Sequence, residues 1–318
     1  MIVPRSETEA AAVVSCRWCG AAVSFPHLPP DMYVVKHCSN CGVGLTVPYP
    51  TSAQLDQAYG TWYRPDSGRF VGLGDLTIAT FRARIAHWVH HISPDGPVLD
   101  VGAGSGAMLD SFRRLGRPAL GLERRSDRPD VRECQISDCG CGWAAIIMWH
   151  SLEHLPNPRQ SLTDAALRLR SEGVLVIAIP NAASFQRRLF GSSWFHLDLP
   201  RHLTHLSEHQ LVGALKEESL TVLKVSHVRG GQVLFGWLQG LVACLPGHPN
   251  LYQAFRRVPA REAAERTLPA LAAAALVAPL AMLCAVLEIV FRRGGTICVV
   301  ARQSASPCDE PHRHPPST

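Results

Sequence analysis

The sequence predicts an α/β protein built on a doubly wound, mostly parallel sheet, and three observations carry that reading. Runs that are apolar throughout, such as Val98–Val101 and Val174–Ile179, alternate with segments of helical periodicity. This is how strands buried on both faces by crossover helices read. The first run feeds a turn with glycine at every second position, Gly102, Gly104 and Gly106. The next, Ala119–Leu122, is followed at once by Glu123, where open sheets of this class hold the hydroxyls of a ribose. A cysteine-rich segment ahead of this core predicts a small metal-stapled module. An apolar stretch before the last strand predicts a helical insertion.

Residues 1–15 are read as a flexible N-terminus; they contain no basic-then-apolar leader, so a cytoplasmic start is expected. Cys16 and Cys19, then Cys38 and Cys41, form two Cys-x-x-Cys-Gly knuckles eighteen residues apart. Two thiolates three positions apart on a tight turn reach one ion from the same side, and the following glycine lets backbone amides face the sulfurs. Residues 16–44 are therefore expected to form a zinc-ribbon-like module with a structural zinc. A tetrathiolate site is closed and leaves no position open for catalysis.

Residues 45–95 are read as a linker and a packing helix, Leu76–His91, whose Ile78, Phe81, Ile85 and Trp88 recur at helical spacing. The core is assigned to 96–229. Strands are expected at Val98–Val101, Ala119–Leu122, Ala144–Trp149, Val174–Ile179 and Leu220–His227, and helices at Ala107–Leu115 and Arg159–Arg170. A short third strand is expected near Cys134–Ile136. The apolar insertion takes 230–294, the last strand 295–302, and a proline-rich tail expected to be disordered takes 303–318.

A dinucleotide turn reads G-x-G-x-x-G, its third glycine easing helix packing beside a pyrophosphate. Here the order is G-x-G-x-G, with Asp100 two residues before the first glycine. That acid suits a ligand bearing a cationic amino acid better than one carrying two phosphates at the turn. Glycine turn and Glu123 would also fit a nicotinamide dinucleotide; Asp100 and the glycine order favour S-adenosylmethionine.

The run Trp149–Leu211 contains L-E-H after the fourth strand, I-P-N after the fifth and P-R-H-x-x-H before the next helix. With the glycine turn it resembles the class I S-adenosylmethionine-dependent methyltransferases of the ubiquinone-methyltransferase-like group, over Pro97–Val228 and again at Thr296–Arg302. The resemblance implies a Rossmann-like methyltransferase fold and cofactor contacts at Asp100, Gly102, Gly104, Gly106 and Glu123. Two positions depart from it. The fourth strand opens Trp143-Ala144-Ala145-Ile146 without the usual aspartate, and Glu172-Gly173 stands for a glycine pair.

Methyl transfer needs alignment above all, with a base where the acceptor must lose a proton. His150, Glu153 and His154 follow the fourth strand, whose carboxyl end faces the cofactor crevice in this architecture. His202 lies on a later segment placed to cover it. His154, His150 and His202 are the candidate catalytic or acceptor-binding residues, imidazole being basic near neutrality. Each has a structural alternative as a hydrogen-bonded core histidine. The resemblance to quinone O-methyltransferases also allows a divalent ion at the Glu-His cluster. Trp194 and Phe195 are read as an apolar wall.

Between the last two strands lie two apolar pieces, Val233–Leu245 and Leu268–Phe291, the second with Glu288 as its one charge. If both flanking strands belong to one sheet, the insertion leaves and returns on the same side and crosses a bilayer twice or not at all. The first piece is short for a crossing, and Arg256, Arg257, Arg261 and Arg266 between them oppose translocation. The favoured reading is peripheral contact with the cytosolic membrane face through residues 233–291; a soluble helical lid or dimer interface is the alternative.

The expected function is methyl transfer to a small-molecule or lipid-linked acceptor, such as a glycan, quinone or polyketide-like molecule. A net charge of +5, scattered in short arginine pairs, does not by itself call for nucleic acid. RNA methylation through the zinc module, and a degenerate membrane-associated scaffold, are the competing classes.

Overall fold

The computed structural model describes residues 12–29, 31–60, 74–227, 232–247, 250–252 and 260–305, the side chains of 74–75 and 260–266 excepted. Most of the N-terminus and of the tail read as flexible lies outside these residues, and so do the side chains of Arg256, Arg257, Arg261 and Arg266.

The chain opens with two hairpins that carry the cysteine knuckles at their turns. Strands β1 (Ala12–Ser15) and β2 (Ala22–Phe25) pair antiparallel around Cys16 and Cys19. Strands β3 (Val34–His37) and β4 (Gly44–Val47) pair around Cys38 and Cys41. The stretch read as a linker then folds as a helix, α1 (Ser52–Gly60), followed by the packing helix α2 (Gly74–Ile92). No side chain of α1 is buried. It is held by Asp56, whose two oxygens each lie 3.0 Å from a guanidinium, those of Arg124 and Arg125.

The core alternates strand and helix: β5 (Val98–Val101), α3 (Ala107–Arg114), β6 (Ala119–Leu122), β7 (Val131–Arg132), β8 (Trp143–Trp149), α4 (Pro158–Arg168), β9 (Leu169–Pro180). After β9 come the short helix α5 (Phe185–Phe190), strand β10 (Thr204–His205), α6 (Glu208–Glu217) and β11 (Leu220–Ser226). Helices α7 (Gln232–Ala243) and α8 (Ala260–Val290) form the insertion, and β12 (Thr296–Gln303) closes the sheet. The seven strands lie in the order β11-β12-β9-β8-β5-β6-β7. Neighbours from β9 to β7 run parallel, and β12 is antiparallel to both of its neighbours. This is the expected doubly wound α/β architecture with a Rossmann-like methyltransferase topology. Its central strands are buried on both faces, apolar in β5, β8 and the Val174–Pro180 part of β9 apart from Asp100.

Two local expectations shift. The third strand sits at Val131–Arg132, ahead of Cys134–Ile136, because backbone bonds from Gly121 N to Asp130 O (2.9 Å) and from Glu123 N to Arg132 O (3.1 Å) fix its register. Ile136–Asp138 instead folds as a 3₁₀ turn closed by a Gln135–Asp138 capping box. Helix α4 ends at Arg168, two residues early, because Leu169 is extended and pairs with Trp143 as the first residue of β9.

The second cysteine hairpin joins the rest of the chain by strand pairing: β10 adds to β4 in a three-stranded sheet, with Thr204 opposite Leu45 and His205 opposite Gly44. The Thr46 hydroxyl donates to the His202 carbonyl (2.5 Å), and His205 Nε2 lies 3.0 Å from the same hydroxyl. Burial drives the His205 pKa down to about 3, so the ring is neutral; with the hydroxyl proton given to His202 O, the ring Nε2–H is the donor in this bond. In the insertion, α8 turns small residues inward, Ala270, Ala281 and Ala285, against α7. Glu288, wholly buried, accepts from Gln186 Nε2 and Trp237 Nε1, both at 2.7 Å.

Candidate active site

The strand order reverses direction between β5 and β8, and in open sheets of this class the carboxyl ends of the strands at such a switch point are where ligands bind. The glycine turn leaves β5 there. Gly102 has φ +82°, and a Cβ on it would stand 2.5 Å from Ser151 Cβ across the crevice; only glycine fits both the backbone and the space. Gly102 N and Ala103 N donate to Leu122 O at 2.8 and 3.0 Å, and Gly104 N donates to Glu123 Oε2 at 2.9 Å. The other Glu123 oxygen accepts from Arg124 N at 2.8 Å. Gly106 precedes α3, with Arg128 packed over it.

Asp100, at the end of β5, is 2% exposed. No side-chain hydrogen bond or ion pair engages it among the described residues. Burial lifts its pKa to about 7, with Glu123 adding to the rise and Arg82 opposing it. A buried carboxylate without a counterion is a site for a cationic ligand. The turn, the uncompensated Asp100 and the carboxylate of Glu123 thus fit a cofactor with a cationic amino-acid end and a ribose, and the tight space over Gly102 is a cradle that a side chain would fill.

On the other side, β8 ends at Trp149 and is followed by His150, held at φ +53°, with Glu153 on the 3₁₀ turn Leu152–His154. His150 Nδ1 lies 3.2 Å from Glu153 Oε1. The carboxylate fixes that nitrogen as the donor, so Nε2 carries the lone pair, and this Nε2 is buried without a partner. Glu153 Oε2 and Ser151 Oγ are likewise buried and unpartnered. His154 Nδ1 donates to Arg201 O at 2.9 Å, with the Tyr59 hydroxyl of α1 3.0 Å away. His202 Nδ1 donates to His196 O at 2.8 Å, and its Nε2 stands 3.9 Å from Glu153 Oε1 and 3.7 Å from Asp198 Oδ2. Burial, then the neighbouring His154, drives the His202 pKa well down.

His150, His154 and His202 therefore cluster around Glu153. His196, which sequence reasoning passed over in favour of its neighbours Trp194 and Phe195, joins them. Its ring stacks on His150 at 6.2 Å, its Nε2 is buried without a partner, and burial lowers its pKa to about 3. The signal available was a third histidine six residues before His202. Trp194 is buried, and Phe195 packs edge-on against Phe235 of α7 (5.3 Å), which ties this segment to the insertion.

Two groups have the donors for a metal. Cys16, Cys19, Cys38 and Cys41 bring their sulfurs within 4.8 Å of one another, the nearest pairs at 3.7 and 3.6 Å. These are the spacings of thiolates around one tetrahedral zinc. The knuckles match one another: Gly20 N donates to Cys16 O and Gly42 N to Cys38 O, both at 2.8 Å. Neighbouring side-chain and backbone donors lower the Cys19 pKa to about 6 against its burial. Glu153, His154 and His202 also offer ligand atoms within 4.8 Å of one another, a set able to bind a divalent ion.

Residues 77–225 match the family model described as a methyltransferase domain. No curated protein matches the sequence. Among solved structures the chain is similar to the 4+2 cyclase SpnF, 18% identical over 81% of this chain and 97% of that one, TM-score 0.47. It is also similar to a SAM-dependent methyltransferase from Archaeoglobus fulgidus, 14% identical over 70% and 93%, TM-score 0.44. A third is a mycolic acid cyclopropane synthase complexed with SAH, 14% identical over 78% and 94%, TM-score 0.44.

Proposed function

We propose that the protein transfers the methyl group of S-adenosylmethionine to a hydroxyl of a small-molecule or lipid-linked acceptor, a glycan, quinone or polyketide-like molecule. One observation carries the reading: the uncompensated Asp100 and the Gly102 turn face, across one crevice, a histidine whose free nitrogen is set by a carboxylate. Asp100 would take the cationic amino-acid end of the cofactor and Glu123 its ribose diol, with Gly102, Gly104 and Gly106 giving the backbone close approach. Bound there, the sulfonium supplies a methyl already activated for displacement, so alignment carries much of the catalysis.

His150 Nε2 takes the acceptor's hydroxyl proton, and Glu153 orients the ring and stabilises the imidazolium as the proton arrives. His154 and His202, kept as donors toward backbone carbonyls, line the acceptor side. A zinc held by Cys16, Cys19, Cys38 and Cys41 has a structural part, since the module shares strand pairing with β10, beside His202. The RNA reading gains nothing from the module: Arg17 stacks on Tyr49 at 4.4 Å, and the Arg159 guanidinium lies 5.9 Å from the Trp18 ring.

The test is incubation of purified protein and methyl-labelled S-adenosylmethionine with extracted polar and lipid-linked metabolites. Label in a hydroxyl-derived methyl ether supports the proposal. Label only in RNA, or none with cofactor bound, refutes it.

A further inference from the structure

We infer that the outer face of the α7–α8 hairpin docks on an anionic lipid bilayer. Helix α8 is 31 residues long, about 46 Å at the usual rise. Its inner stripe is small or polar and packs on α7, while the outer residues stand in solvent: Leu276 is 75% exposed, Leu268 71% and Val290 67%, with Leu280, Leu283 and Val286 also exposed. At roughly 100° per residue the exposed positions sweep an arc of about 200°. Thr267–Val290 is long and apolar enough to cross a membrane, and only 17% of its most apolar window is buried. Its one charge, Glu288, is satisfied internally.

Helix α7 limits what the hairpin does. Its 12 residues reach about 18 Å against a hydrocarbon core of about 30 Å. Both helices lie between β11 and β12, which pair with each other in one sheet, so a lone crossing by α8 would tear that sheet. The hairpin therefore lies along one leaflet.

Charge selects the occupant. Where α8 returns to the core, exposed Phe291 and Leu189 adjoin exposed Arg188, Arg292 and Arg293, and the rings of Phe185 and Phe291 meet at 6.0 Å. Among the described residues none of these three arginines pairs with a carboxylate. Apolar side chains bordered by unpaired arginines suit an acyl layer with anionic headgroups. A second copy would cover a helix seam of roughly 100°, half of what stands exposed. Docking does not depend on the reaction. Its consequence for substrate class does rest on the proposed methyl transfer: Phe195, packed on Phe235 of α7, puts the acceptor wall against the hairpin, so the acceptor is an amphiphile presented from the lipid surface.

The full-length protein is floated with vesicles of phosphatidylcholine alone and of phosphatidylcholine with phosphatidylglycerol. We expect flotation with the anionic vesicles, a several-fold drop with neutral ones, and at least a tenfold fall in partitioning for Leu276→Ser combined with Leu283→Ser. Arg292→Glu with Arg293→Glu should remove the preference for anionic lipid. All four positions are exposed, and an unchanged thermal transition verifies folding. A folded variant that floats like the parent overturns the proposal, as does no flotation at all. A solution dimer that the leucine pair abolishes assigns the face to a second copy. Flotation without methyl transfer would sink the proposed reaction and leave docking standing.

Discussion

At the glycine turn the polar groups of the protein bond one another. Gly102, Ala103 and Gly104 have their amides paired, and both oxygens of Glu123 accept backbone bonds. Across the crevice, Ser151 Oγ, Glu153 Oε2, His150 Nε2 and His196 Nε2 are buried with nothing to bond. Each orphaned polar atom costs about 1–3 kcal/mol, so the acceptor side is the destabilised side of the cleft. The contrast separates a preformed cofactor seat from a polar pocket completed by its ligand. Asp100 is the exception on the first side, a carboxylate left for a cation.

The sharpest break between the two sides is Gly102→Ala. The positive φ and the approach to Ser151 leave no room for a methyl, and cofactor affinity should fall by more than about 100-fold in calorimetry. On the other side, Glu153→Gln should leave that affinity within about twofold while kcat drops about 100-fold or more, since the base loses its orienting charge. If both parameters fall together, the two sides are not separable.

Asp100→Asn tests the exception in two directions. Cofactor affinity should fall about 10- to 100-fold with loss of one charged contact. Stability should rise: the carboxyl has its folded pKa raised from 3.8 to about 7, so the native state holds a proton that the unfolded chain has lost. This group therefore destabilises the fold progressively as pH rises from about 4 to 7. Scanning calorimetry at pH 8 should give a higher Tm for the variant.

The histidines have the opposite sign. His196 and His205 are buried neutral, with pKa lowered from 6.5 to about 3, and His202 is lowered too. All three disfavour the folded state progressively as pH falls below 6.5, His196 and His205 each by on the order of a few kcal/mol as pH approaches 3. Three imidazoles outweigh one carboxyl, so the net Tm should fall on acidification below 6.5, and His205→Gln should flatten that fall. The smallest effect expected is Gln210→Ala. Its Nε2 donates to Cys41 O at 3.2 Å and its Oε1 accepts from Ser207 N at 2.9 Å in the capping box of α6, and losing both should lower stability by about 1–2 kcal/mol in denaturant titration.

What the sequence made legible is what depends on neighbours along the chain. Val98–Val101, the G-x-G-x-G turn and the paired knuckles each encode their own geometry within a few residues. Strand β7 is two residues long, and its register comes from backbone bonds to β6, which leave no side-chain pattern. Helix α1 has no fully buried side chain and so no apolar period to read; ion pairs from Asp56 to the Arg124-Arg125 pair and the Tyr59 hydroxyl beside His154 place it. The pairing of β10 with β4 joins Thr204 to Leu45 across more than 150 residues, and so the module's attachment beside His202 was invisible. His196 carries no signal of its own beside Trp194 and Phe195, and only the fold stacks it on His150.

The most direct test is calorimetric titration of S-adenosylmethionine into the purified, folded protein, run alongside Gly102→Ala and Glu153→Gln. The account expects single-site binding with a Kd on the order of micromolar, lost in Gly102→Ala and kept in Glu153→Gln. No binding by a protein that still shows a cooperative thermal transition, or equal binding by Gly102→Ala, would contradict it.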